Sequence, residues 1–182
     1  MKESRIFPSI HETAILDLRG KASLPKTTHI EAGVVIQIGE KAELVVGERV
    51  TIYPGVIIRA EAGKIVLGDN VSLGPGVRIY EPRGGVYIGN NSLIAGGVSM
   101  CGVSHGFKDI DRPIREQPHK SERIDIGEDT WIGMNAVINP GVQIGGHSII
   151  GSGSVVTRSI EAWGIAYGVP CRRVNDRREM ER

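Results

Sequence analysis

The sequence predicts an all-β chain wound as a parallel β-helix, and three observations carry that prediction: a six-residue aliphatic period, glycines at one fixed step of it, and few aromatic residues. From Val46 to Ile160 an aliphatic residue returns every six positions, usually followed by glycine and, four places on, by a small or β-branched residue. The units IGEDTW, IGMNAV, INPGVQ, IGGHSI, IGSGSV and VTRSIE run unbroken from Ile126 to Glu161. Aromatic residues make up only 4% of the chain, which has 25 glycines. An α-helix has a period of 3.6 residues and a simple strand a period of two, so neither produces this pattern.

Three units make one coil, and coils stacked in register place like residue over like. The columns read Val46, Leu67, Ile88, Ile126 and Ile144 on the first face, and Ile52, Leu73, Ile94, Ile132 and Ile150 on the second. Ile58, Ile79, Met100, Ile138 and Val156 form the third, and the three columns together fill a triangular core. Glycines such as Gly127 and Gly133 stand one step after an inward residue, where a tight corner favours the absence of Cβ. Neighbouring coils hydrogen-bond at about 4.8 Å, so five or six coils are expected to build a prism about 25–30 Å tall.

Residues 1–44 read as an N-terminal cap with irregular first coils, residues 45–174 as the β-helix domain, and residues 175–182 as a short charged tail or helical turn. Cap and tail would shield the open ends of the prism. Short extensions near Glu61–Lys64 and Pro82–Gly85 fall at one corner of successive coils. A long protruding loop, 104–123, leaves the same corner; it is polar and carries Pro113 and Pro118. Long loops on rigid scaffolds are usually functional.

A chain of 182 residues fits one domain with a core of its own. Its formal net charge of +1 gives no global field for nucleic acid or an anionic membrane. No apolar run approaches a membrane span and the start has no secretory h-region, so the cytoplasm is the expected compartment. Cys101 and Cys171 form no disulfide framework or metal spacing, and both are expected to be buried as small apolar residues. No metal is expected.

The repeat, the loop opening Ser104-His105-Gly106-Phe107, the segment Ile126-Gly127-Glu128-Asp129-Thr130-Trp131-Ile132-Gly133 and the closing Ala166-Tyr167-Gly168-Val169-Pro170-Cys171-Arg172 together resemble the hexapeptide acyltransferases. Within that family the maltose and galactoside O-acetyltransferases, and the enzymes that acetylate surface-polysaccharide sugars, are nearest in pattern. The resemblance covers roughly the last two-thirds of the chain. It implies a left-handed coil, a homotrimer with acetyl-CoA in the clefts between subunits, and transfer of an acetyl group to a hydroxyl of a sugar or polysaccharide precursor.

Acyl transfer from a thioester needs a base for the acceptor proton, and an imidazole with its ordinary pKa near 6.5 suits that role. His105 stands at the loop root and matches the family's catalytic position; the bland alternative is a loop histidine that merely caps a turn. His119, in the same loop, lies near an acceptor-site position, with plain exposure as its alternative. His11, His29 and His147 read as surface or cap residues. Trp131 holds an outward place where a large ring is costly to expose; it reads either as a sugar contact, as the matching family Trp implies, or as a ring packed under the loop or at a subunit interface. By the columns it lies at a different corner from His105, so in one site containing both either the loop reaches around the prism or the site spans two subunits.

Family positions for acetyl-CoA map onto Met134, Ser152, Thr157, Arg158, Arg172 and Asn175. Guanidinium groups pair well with phosphate oxygens, which suits Arg158 and Arg172, although a solvated basic edge would look the same. Small residues at Ser152 and Gly153 would let backbone N–H groups approach the thioester arm. The sequence departs from the sugar enzymes at Gly74, where they carry an acceptor-contacting Asn, and at Glu81, where their acidic pair is reduced to one carboxylate before Pro82. Those departures put the acceptor, not the acyl chemistry, in question. The other readings are an N-acetyltransferase of an amino-sugar nucleotide, an antibiotic acetyltransferase, a zinc carbonic anhydrase on the same fold and a non-catalytic scaffold. The histidine spacings lack the closely placed pair that the zinc enzyme needs.

Overall fold

The structure is a computed structural model that describes residues 9–180. The first eight residues of the expected cap and the last two of the expected tail lie outside the described residues. The chain forms a parallel β-solenoid of about seven turns, rather than five or six. The additional turns come from the N-terminal segment, where Ile10 pairs with Ile30 and Ile30 with Ile52 on the second face. Leu16 likewise pairs with Ile36 and Ile36 with Ile58 on the third. At about 4.8 Å per coil the stack is roughly 34 Å tall.

The three predicted columns are observed residue for residue. Val46 pairs with Leu67, Leu67 with Ile88, Ile88 with Ile126 and Ile126 with Ile144. Ile52, Leu73, Ile94, Ile132 and Ile150 stack on the second face. Ile58, Ile79, Met100, Ile138 and Val156 stack on the third. All these side chains are buried. Each full burial of an aliphatic side chain contributes about 1.5–3 kcal/mol against exposure, and the column repeats it at every coil.

The glycines after inward residues have a specific cause. A Cβ on Gly127 would meet the Gly146 backbone nitrogen at 2.4 Å, and one on Gly133 would meet the Ser152 nitrogen at 2.5 Å. The close approach of the next coil, rather than a left-handed backbone, excludes a side chain there. Left-handed residues come two steps later: at the corner between the first and second faces Arg49, Asn70, Asn91, Asp129, His147 and Trp163 have positive φ, and at the next corner Asn135 does.

The first extension is not a protruding corner. Strands Val35–Val46 and Ile57–Leu67 run unbroken from the third face into the first, so Glu61–Lys64 lies within a bent strand. Gly63 at φ 94 and a register shift between Ile38 and Lys41 allow the bend. The second extension sits above it, because a Cβ on Gly63 would fall 2.0 Å from the Pro82 carbonyl oxygen. The long loop leaves the corner directly above that. The tail forms strand Arg172–Asp176, antiparallel to Gly164–Tyr167 at the end of the second face, and then a 3-10 turn, Arg177–Glu179. Cys171 is buried as expected, but Cys101 is exposed. Cys101 follows the inward Met100, and strand alternation turns it outward. Among the described residues no helix is long and apolar enough to cross a membrane.

Candidate active site

The long loop is a built hairpin. Val103–His105 pairs antiparallel with His119–Ser121, which places His105 opposite His119. Their rings meet edge to face with centroids 4.3 Å apart. The root is closed by the Glu122 N–H donating to the Gly102 carbonyl at 3.0 Å and by the Ile124 N–H donating to Gly85 at 3.0 Å. The Gly106 N–H donates to the Pro118 carbonyl at 3.0 Å, and a Cβ on Gly106 would crowd that oxygen at 2.8 Å. Beyond it, the buried Gln117 amide donates to the carbonyls of Asp109 at 2.8 Å and Arg112 at 2.9 Å. Its oxygen accepts from the Asp109 N–H at 3.2 Å. The tip otherwise has little packing, since Phe107, Ile110 and Ile114 are exposed. Both histidines are exposed and are thus presented to solvent from a pinned backbone.

Glu81 lies one coil below on the same corner, where a Cβ on Gly102 would sit 3.0 Å from the Glu81 carbonyl oxygen. Its carboxylate accepts from Arg83 Nε at 3.3 Å, and its φ of 43° is unusual for a residue with a side chain. Above the loop root the same corner continues through Gly141, where a Cβ would stand 3.1 Å from Glu122 Oε1, to the exposed Thr157 and Arg158. One corner therefore carries Glu81, His105, His119, Thr157 and Arg158.

Met134, Ser152 and Arg172 form a second group across the third face. The Gly153 N–H donates to the Met134 carbonyl at 2.7 Å, which stacks the two glycine-flanked turns. The chain reaches Arg172 through Cys171, whose N–H donates to Val155 at 2.8 Å. The Arg172 side chain folds back, donating from Nη1 to the Cys171 carbonyl at 2.8 Å. Below Met134 opens an apolar groove of about 710 Å³ lined by Tyr53, Gly74, Arg78, Leu93, Gly96 and Met134 among others. Trp131 lies on the second face between Leu93 and Ile149 and is 51% exposed. Within one chain it does not meet His105. Asn175 sits at the far end of the tail strand, opposite Ile165 and 3.6 Å from Met180 Sδ, away from Arg172.

The sequence reading missed a polar network at the corner between the first and second faces. His147, assigned there to the surface, is half-buried and stacks on Trp163 with ring centroids 4.1 Å apart. Its Nδ1 lies 3.0 Å from Asp129 Oδ2, and Arg177 Nη1 reaches the same oxygen at 2.8 Å. The hydrogen bond from His147, and then that from Arg177, hold the Asp129 carboxyl below the ordinary carboxylate range. Buried Asp176 is held lower still by Arg178, through its side chain and its backbone N–H. The available signal was a single outward position occupied in successive coils by Asn70, Asn91, Asp129 and His147, types that tolerate left-handed backbone.

Known transferases share this chain's repeat and its solenoid fold. Residues 123–158 match the bacterial transferase hexapeptide (six repeats) family, and residues 64–100 match the hexapeptide repeat of succinyl-transferase. A galactoside O-acetyltransferase of Escherichia coli (strain K12) is 54% identical over 57 residues, spanning 30% of this chain and 28% of that protein. The chain thus spans less than a third of that relative's length. AntD, an N-acyltransferase from Bacillus cereus in complex with dTDP-4-amino-4,6-dideoxyglucose and coenzyme A, superposes with a TM-score of 0.62 at 23% identity, covering 78% of this chain and 80% of that one. The polysialic acid O-acetyltransferase OatWY superposes with a TM-score of 0.61 at 18% identity, covering 92% and 83%. The solenoid is consistent with the left-handed β-helix of acyltransferases, and the chain carries their hexapeptide repeat.

Proposed function

We propose that this hexapeptide-repeat chain is an acyltransferase that moves an acetyl group from acetyl-CoA to a hydroxyl of a sugar or polysaccharide precursor, with residues 45–174 as the acyltransferase domain. The observation that carries the reading is His105, an exposed imidazole on a pinned hairpin strand beside His119, at one corner of a transferase-type solenoid. A His105 ring nitrogen accepts the acceptor's hydroxyl proton as the oxygen bonds to the thioester carbonyl carbon. The C–S bond breaks, and the imidazolium returns the proton to the departing thiolate. The thioester is already activated, so no covalent enzyme intermediate is required. His119 and Glu81, on the same corner, contact the acceptor.

Acetyl-CoA runs along Met134, Ser152 and Arg172, with Thr157 and Arg158 across the third face and Asn175 at the periphery. Trp131 and His105 stand on different sides of one chain, which supports a site shared between copies of a cyclic homotrimer in the cytoplasm, with no nucleic acid or metal taking part. The N-acylation reading draws on AntD, which holds an amino-sugar nucleotide and coenzyme A. Both readings are tested by incubating the protein with acetyl-CoA and paired hydroxyl and amino acceptors, following free thiol and product mass. Acceptor-dependent thiol release with an ester product supports O-acetylation, and an amide product supports N-acylation. No release, together with no binding of acetyl-CoA, sinks the acyltransferase reading.

A further inference from the structure

The corner below the catalytic loop carries a feature that acetyl transfer does not use. Two adjoining depressions of about 460 and about 480 Å³ share Glu40, Lys41 and Arg83. Glycines form much of the floor: Gly63, Gly84 and Gly85 line the first, and a Cβ on Gly84 would fall 2.4 Å from the Glu122 backbone carbon. The depression thus runs directly to the loop root. Its wall includes Tyr87, whose ring is held by the Arg123 guanidinium 3.8 Å above its centroid.

The charges are arranged as a ladder. Lys21 lies one coil below Glu43, which shares a strand with Lys41; Lys64 pairs with Glu43 in the next coil, and Arg83 stands in the coil above. Cationic rungs therefore climb toward the loop root in steps of about 4.8 Å, over a total of about 14 Å. Five cationic side chains, those named and Arg19, line the two depressions against the carboxylates of Glu40, Glu43 and Glu61. Arg19, Lys64 and Arg83 have ion-pair partners within the protein. Lys21 and Lys41 are exposed and have none within 4 Å among the described residues. A single anion would engage one rung, whereas a chain with an anion on each repeating unit matches the ladder.

We infer that this groove is an acceptor subsite that holds an acidic oligosaccharide, with carboxylates on its repeating sugars, and leads one end of it toward His105. The inference rests on the sugar-acetylating reading for its choice of a saccharide and goes beyond it in naming the acidic class and the cations that select it. The test is isothermal titration of the whole protein with tetragalacturonate and with neutral galactotetraose, at low and high salt, without acyl donor. The expected result is salt-sensitive binding of the acidic chain alone, weakened about five- to tenfold in a Lys21→Ala, Lys41→Ala double variant whose melting temperature is unchanged. Equal binding of the neutral chain, no binding of either, or wild-type affinity in the double variant would overturn it. Because no acyl donor is present, the result stands apart from transfer itself. Acetylation of a neutral sugar by a protein that ignores the acidic chain would refute the groove and leave the acyltransferase reading intact.

Discussion

Replacing Gln117 with alanine should open the long loop without unfolding the solenoid. The side chain is 6% exposed and makes three hydrogen bonds to the loop's own backbone, at 2.8, 2.9 and 3.2 Å. At a net worth of about 1 kcal/mol each, their loss costs about 3 kcal/mol of local stability, a factor on the order of 10² in the ratio of open to closed loop. Apolar packing offers little compensation, because Ile110 is 93% exposed and Phe107 71%. Hydrogen exchange should therefore show the Gly106 N–H, bonded to Pro118, losing protection by about that factor. Amides in the stacked columns should exchange as in wild type, with an unchanged melting temperature. Unaltered exchange at Gly106, or a fall in melting temperature like that of a core truncation, would refute the claim that Gln117 holds the loop as a separate unit.

Ile94→Ala, at a fully buried rung of the second column, should cost about 2–5 kcal/mol in urea unfolding. Gly133→Ala drives a Cβ against the Ser152 backbone nitrogen and should cost about 1–3 kcal/mol, measured the same way. Asp129 has a lowered pKa in the folded protein, so its stabilisation is present above the ordinary carboxylate value of about 4 and is lost as pH falls through its lower folded value. The stability gap between wild type and Asp129→Asn should then shrink as unfolding is measured from neutral pH toward pH ~3. If the site is shared between copies, mixed oligomers of His105→Ala and Trp131→Ala chains should recover part of the activity that each lacks alone; recovery no greater than the sum of the two would argue for a site within one chain.

The core was legible because each inward column is written as an aliphatic residue at one period, and hydrophobic burial leaves such a column no other face. The two earliest coils were harder to read. Around Ile38–Ala42 the chain takes a bent path between faces, and the extra residues break the six-residue count while Ile36, Leu44 and Val46 remain inside. Glu61–Lys64 resembled a corner insertion for the same reason, although it continues a strand. At the site, the position of His105 at a loop root and its distance from Trp131 followed from the columns. Its ring contact with His119 did not, because the antiparallel register depends on how thirteen intervening residues fold back. The network of Asp129, His147 and Arg177 joins residues that are far apart in sequence but stacked by the coil, so only the register brings them together.

The most direct test of the account is to compare wild type with His105→Ala in acetyl-CoA-dependent transfer to an accepted sugar, measuring turnover, acetyl-CoA affinity and melting temperature on the same preparations. Loss of a positioned general base predicts a fall in kcat of about 10²- to 10⁴-fold with affinity and melting temperature unchanged. Wild-type turnover in His105→Ala would contradict the assignment of the base and, with it, the mechanism built on the hairpin corner.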